Sequence, residues 1–267
     1  MSDEDTRRRR LSETFDQAAD LYQRARPEYP PALIERLLSV TRVPTGARLL
    51  EIGPATGKAT APLARLGFQM TCLEPGPALA AAARRHLSGL DVQVIETRFE
   101  DWAGPAEDFD LAFAATSWHW IDPGVRYQKA AQVLRPDGHL AFWSAGHVIP
   151  YDGDPFFTEL QTVYDEIGEG LPPSAPIPRP QELADDRAEI GASGLFDVVD
   201  ISQFDWEVVY DADRYIDLLN TFSGHIEMAD WQRERLYGEI RRRLAARPEG
   251  TLRRHWGAVL HIARRRS

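Results

Sequence analysis

The chain has 267 residues, with one cysteine, two lysines and three methionines among them. A lone thiol, Cys72, excludes an internal disulfide and any metal centre built from several cysteines. It falls in an apolar run and reads as a core residue. No stretch approaches the ~20 apolar residues that a membrane helix needs. The arginine-rich start, Arg7 to Arg10, is not followed by the apolar segment of a secretory leader. We therefore expect a cytoplasmic protein with no membrane partner. Excess positive charge is also missing. With 31 basic against 41 acidic residues and a net charge of −10, the chain lacks the basic footprint of a general nucleic-acid binder. Its basic clusters, Arg7 to Arg10, Arg241 to Arg243 and Arg264 to Arg266, read as a tail and solvated element ends. Lys58 and Lys129 being the only lysines, nearly all the basic charge is arginine, which we read as coding bias. No spacing among the seven histidines and nearby acids points to a metal site, so no metal is expected.

What is present fits a folded α/β protein: 43% hydrophobic and 27% charged residues, on a chain long enough for one large core. The most informative stretch is Leu49-Leu50-Glu51-Ile52-Gly53-Pro54-Ala55-Thr56-Gly57-Lys58, followed by Leu73-Glu74-Pro75. An apolar strand enters a glycine-punctuated turn, a helix follows, and a second strand ends in a carboxylate. The turn fails as a phosphate loop, because only three residues separate Gly53 from Gly57 and Ala59 follows Lys58. It also fails the dinucleotide fingerprint, where the third and sixth positions are Ala55 and Lys58 instead of glycine. Glycine at 53 and 57 lets backbone approach a flat nucleoside, and Glu74 is placed to accept bonds from ribose hydroxyls while repelling a 2′-phosphate. A tight strand-to-helix turn without a ligand is the plainer reading of the same residues.

Strands are expected at Arg48 to Ile52, Gln69 to Glu74, Val92 to Ile95, Phe109 to Ala115 and His139 to Ser144. Helices are expected at Leu33 to Val40, Lys58 to Leu66, Pro77 to His86 and Val125 to Leu134, with another around Phe15, Ala18, Ala19 and Tyr22. Short apolar strands alternating with helices imply a parallel sheet covered on both faces. Leu134 to Gly138 reads as a turn. Beyond Ser144 the rhythm changes: helices at Phe156 to Ile167, Pro180 to Ala192, Asp213 to Thr221 and Trp231 to Ala245, and long strands at Val198 to Tyr210 and Trp256 to Ala263. The last two strands should pair antiparallel, and the added helices should cover the carboxyl ends of the strands, where open α/β sheets bind ligands.

The pattern Glu-x-Gly-x-Ala-x-Gly resembles motif I of class I S-adenosylmethionine-dependent methyltransferases, with Ala55 at the usual middle glycine. Further pieces are similar to the methyltransferase type 11 family, in the branch that holds the trans-aconitate methyltransferases. They are Phe15-Asp16 through Tyr22, Arg26-Pro27-Glu28-Tyr29-Pro30, Phe99-Glu100-Asp101-Trp102, Phe109 to Asp122, Leu134 to Gly138, and Tyr215 to His225. The resemblance implies a Rossmann-like, seven-stranded, mostly parallel sheet with an antiparallel last strand and helices on both faces. It implies one domain over residues 11–267 behind a disordered tail, 1–10. Within it, 11–46 would be a helical cap, 47–147 the cofactor core, and 148–267 cap insertions and final strands.

The resemblance also assigns roles. Glu51, Gly53, Ala55 and Gly57 shape the methionine and ribose pocket, Glu74 holds the ribose, and Phe99-Glu100 borders the adenine. Phe99 reads equally as core packing. Tyr22, Trp118 and Trp120 are candidates to enclose a cationic sulfonium, with Ala115 at the same strand exit. His119 is the candidate base for an acceptor that has a proton to lose. Arg26 would anchor an acidic acceptor or the cofactor's carboxylate, and His225 would face the acceptor from the cap. Each of these side chains has an ordinary structural reading too. The expected reaction is in-line methyl transfer to an oxygen, nitrogen or carbon of a small molecule, leaving S-adenosylhomocysteine. The expected state is a monomer or homodimer. A binding protein of the same fold without turnover is the alternative.

Overall fold

The computed structural model describes residues 19–172 and 175–267. The expected tail 1–10 and the start of the first helix, with Phe15 and Ala18, lie outside them. The described chain opens with two helices, α1 (Ala19–Ala25) and α2 (Pro31–Thr41). Alternation follows: β1 (Arg48–Ile52), α3 (Thr60–Arg65), β2 (Gln69–Leu73), α4 (Pro77–His86), β3 (Val92–Ile95), β4 (Phe109–Ala115), α5 (Arg126–Val133) and β5 (Leu134–Trp143). The remainder comprises β6 (Ala145–Val148), α6 (Phe156–Glu166), α7 (Arg187–Ala192), β7 (Phe196–Asp211), α8 (Ala212–Leu219), α9 (Ser223–Glu227), α10 (Asp230–Ala245) and β8 (Thr251–Arg265).

The sheet runs β3-β2-β1-β4-β5-β8, with β7 on the far side of β8. Every neighbouring pair from β3 to β5 is parallel, and β8 is antiparallel to β5, β6 and β7. β1 is central and buried over four of its five residues, which is why it reads as a continuous apolar run rather than an alternating one. Chain order reverses beside it, with β2 on one side and β4 on the other. The connections leaving β1 and β4 therefore lead to opposite sides of the sheet, and a crevice opens at the carboxyl ends of the strands.

Eight strands are present among the described residues, not seven. The addition is β6, which continues the β5 track past Ser144: His139 pairs with Arg264, Ala145 with Ala258 and Val148 with His255, all in one register against β8. The Leu134 to Gly138 turn is an excursion inside β5. Pairing with β4 jumps from Phe109–Leu134 to Leu111–His139, and Asp137 takes a left-handed φ of 61°. The expected helix over Pro180 to Ala192 is broken into a short 3-10 turn, Pro180–Glu182, and α7. Asp185 Oδ1 accepts the Arg187 N–H at 3.0 Å, a local bond that competes with helix continuation.

Two apolar clusters fill the faces of the sheet, around Leu50, Phe109, Leu140 and Phe142 on one side and Leu49, Phe113, Trp143 and Leu260 on the other. A third lies under the cap, where α6, α8 and α10 bury Phe156, Leu160, Tyr215, Leu219, Leu236 and Ile240 against Trp256 of β8. This cap stands beside the crevice.

Candidate active site

A cavity of about 550 Å³ occupies the crevice, within the size range of small-molecule sites. Its floor is the β1 exit. Gly53 donates its N–H to Leu73 O at 2.9 Å, and a Cβ placed on Gly53 would sit 2.7 Å from the Ser117 Cβ. The loops after β1 and β4 thus touch at a point with room for hydrogen only. Ala55 holds a φ of 50°, a left-handed conformation that costs an alanine about 1–2 kcal/mol. Glu74, at the end of β2, accepts the Ala55 N–H with Oε2 and the Gly76 N–H with Oε1, each at 2.9 Å. Its carboxylate ties the two turns together and faces the cavity.

The β4 exit carries a second strained residue. Thr116 has a φ of 62°, where a β-branched side chain is a genuine outlier. Its Oγ1 meets the Tyr29 hydroxyl at 2.9 Å and accepts the Ala145 N–H at 3.2 Å. Such strain persists only where surrounding structure over-determines it, and it concentrates at functional sites. Beyond Thr116, a 3-10 turn (Trp118–Trp120) turns His119 and Trp120 toward the cavity, their rings 4.6 Å apart. Desolvation by the surrounding protein and the nearby Arg126 push His119, whose side chain is still exposed to solvent, down to about 4, so its imidazole is neutral at pH 7.

The other walls come from α1 and the cap. Tyr22, Arg26 and Phe222 all line the cavity. Arg26 donates through Nε to Thr221 Oγ1 and through Nη2 to Thr221 O, both at 2.8 Å. Its guanidinium lies 4.0 Å from the Phe222 ring centroid, and it has no carboxylate partner among the described residues. Phe99 and Glu100 line the opposite end. Glu100 Oε1 accepts the Asp122 N–H at 3.1 Å and lies 3.5 Å from Arg98 Nη2.

Of the residues singled out from sequence, Tyr22, Arg26, Gly53, Ala55, Glu74, Phe99, Glu100, Ala115, His119 and Trp120 share this one cavity. Four do not line it. Trp118 is 3% exposed, stacked on Phe142 at 5.1 Å and edge-on to Tyr127 at 5.3 Å, which makes it core. Gly57 faces the end of α4, where an added Cβ would meet Leu87 Cδ1 at 2.8 Å. His225 lies in a separate cavity, with Nε2 2.9 Å from the Tyr164 hydroxyl. Glu51 sits one layer behind. Its Oε2 accepts from Thr60 Oγ1, while Oε1 is buried without a partner among the described residues. Burial, with the charge of Glu74 behind it, pushes Glu51 up to about 8. Glu51 borders a void of about 30 Å³ shared with Tyr22 and Arg26, large enough for one water.

Sequence reading missed Phe222 as a cavity wall, although it lies three residues before His225. It also missed Ser144, which ends the β5 run and lines the site.

Residues 50–142 match the family model described as a methyltransferase domain. Over that stretch the chain is similar to methyltransferase domains. An uncharacterised methyltransferase of Mycobacterium tuberculosis is 33% identical over 162 residues, which is 55% of this chain and 63% of that protein. The chain thus spans under two thirds of the length of the curated relatives it matches. A structure described as a type II methyltransferase, from Anaeromyxobacter dehalogenans, covers 90% of this chain and 97% of its own at 24% identity and a TM-score of 0.60. The Haemonchus contortus phosphoethanolamine N-methyltransferase 2, solved with phosphomonomethylethanolamine and S-adenosylhomocysteine, covers 94% of this chain and 58% of its own (14% identity, TM-score 0.52). The fold matches the Rossmann-like folds of methyltransferases, and the cavity occupies the crevice of that fold.

Proposed function

We propose that the chain transfers a methyl group from S-adenosylmethionine to a small-molecule acceptor. One observation carries the reading most directly: the Glu74 carboxylate, anchored by two backbone N–H groups of adjoining turns, faces the same cavity as the β1 exit. The residues fit the cofactor. Glu74 suits the ribose diol, Phe99 a purine face, and the buried, unpartnered Oε1 of Glu51 an ammonium group reached through the small void. When bound, the cofactor supplies a methyl carbon already activated by its sulfonium, so no further activation of the leaving group is required.

The protein's own contribution is then alignment and exclusion of water. Tyr22 and Trp120 supply ring surface that favours a cation. Trp118, buried in the core, positions the turn that presents His119 and Trp120. His119, neutral at pH 7, can accept the proton that an attacking hydroxyl or amine loses; a carboxylate nucleophile would leave it idle. Arg26 is the cationic group nearest the aromatic wall and would hold the cofactor's carboxylate or an acidic acceptor. The acceptor's class and the trans-aconitate-like branch belong to this proposal. No second protein, nucleic acid or membrane is invoked, and a monomer or homodimer serves equally.

Calorimetry with S-adenosylhomocysteine tests the reading. Micromolar binding is expected, and Glu74→Ala should weaken it by about 1–3 kcal/mol, the worth of charge-assisted hydrogen bonds. No binding by the wild-type protein would refute the function. Unchanged affinity in the variant would refute the role of Glu74.

A further inference from the structure

A second cavity of about 370 Å³ lies under the cap, lined by residues of β6, α6, α8, α9 and β8. Phe222 lines both cavities, so the segment that begins there stands between them. Most of the second wall is apolar, with Phe157, Leu160, Leu219 and Met228. Arg254 is its buried cation. It occupies an inward position of β8 between Leu252 and Trp256, both of which belong to the cap core. It is 5% exposed, and its Nε has no hydrogen-bond partner among the described residues.

An apolar side chain would satisfy that row. A buried charge lacking a counter-ion is among the most costly features a fold can carry. No carboxylate pairs with Arg254 among the described residues, and the acid on this cavity's wall, Glu169, is exposed and accepts from Gln232. A hydrogen bond with the neutral Tyr215 side chain and the rings of Trp256 at 4.5 Å and Phe222 at 5.5 Å offset only part of the cost. His147 and His225 share the wall. Burial and Arg254 together hold both imidazoles uncharged at pH 7, so one fixed positive charge faces an apolar space.

We propose that this cavity receives the methyl acceptor, and that the acceptor is a monoanionic carboxylic acid with an apolar body, its carboxylate paired with Arg254 and its nucleophilic end directed past Phe222. The assignment rests on the methyltransferase reading above. A single guanidinium matches one carboxylate in charge and fork geometry, whereas a phosphate dianion would leave a charge unbalanced.

The test uses octanoate, octanamide and octyl phosphate as probes, titrated by calorimetry into the protein saturated with S-adenosylhomocysteine. Octanoate should bind at least tenfold more tightly than either other probe, and Arg254→Met should erase that preference. The same variant should keep wild-type affinity for S-adenosylhomocysteine and should resist urea at least as well as wild type, because the substitution restores the apolar row. Equal binding of octanoate and octanamide, no binding of octanoate, tighter binding of octyl phosphate, or an unaltered preference in Arg254→Met each overturns the proposal. Since S-adenosylhomocysteine binding is measured first and separately, failure of the methyltransferase reading is distinguishable from failure of this one.

Discussion

Replacing Glu51 by glutamine should change how the ligand-free protein responds to pH. In the unfolded chain this carboxyl ionises near its ordinary 4.5, while burial holds it near 8 in the native state. Between those values the native state binds the extra proton, so stability falls as pH rises. The loss attributable to Glu51 is about 1.4 kcal/mol at pH 5.5 and about 3.9 kcal/mol at pH 7.5, from linkage at 1.36 kcal/mol per pKa unit. Glutamine has no such proton to lose. The stability difference between Glu51→Gln and wild type should therefore move in favour of the variant by about 2.5 kcal/mol between pH 5.5 and 7.5. His147 and His225 act in the opposite sense: their depressed values make stability rise with pH up to about 6.5, the unperturbed histidine value. Those contributions are common to both proteins and cancel in the difference. Urea denaturation at the two pH values, followed by circular dichroism without ligand, measures it. Parallel behaviour of the two proteins, within about 0.5 kcal/mol, would show that Glu51 is ionised in the folded state and would refute the argument.

Ala55→Gly should relieve the left-handed strain of about 1–2 kcal/mol at an entropic cost of about 0.5–1 kcal/mol. A net gain of up to about 1.5 kcal/mol is expected in urea denaturation, and a loss would mean that the alanine methyl makes a contact worth more than the strain. His119→Ala should lower kcat about 100-fold if its imidazole takes the acceptor's proton. Because the wild-type residue is held near 4 and works in its neutral form, the rate carried by His119 should stay level from pH 8 to about 5. A limb near 6.5, or an undiminished kcat in the variant, would remove His119 from proton transfer.

Much of the architecture was legible because burial and periodicity agree in the parallel half of the sheet. The strands Arg48–Ile52, Val92–Ile95 and Phe109–Ala115 stand at their expected bounds, each a short apolar run with turn chemistry at its ends. That Gly53, Ala55 and Glu74 share one cavity was legible for a related reason: glycine spacing and a carboxylate at a strand end are local signals. Failures of sequence reading occurred where local signal and tertiary role part. Trp118 stands between two residues that face the cavity, yet a 3-10 turn sends neighbouring side chains in different directions, and this one fell to the core. Gly57 matches a ligand-binding pattern, but its missing Cβ makes room for Leu87.

Arg254 shows the limit most clearly. In sequence it is one of two adjacent arginines, Arg253-Arg254, ahead of the strand expected from Trp256 onward, and such a pair reads as solvated charge. Only the extension of β8 back to Thr251 gives the two opposite faces, since successive strand residues alternate. Arg253 is then exposed while Arg254 is buried. Register, not composition, therefore decides which of these two like charges is surface and which is a buried guanidinium. Register across fifteen paired positions of β7 and β8 is a property of the assembled sheet that a window of sequence does not contain.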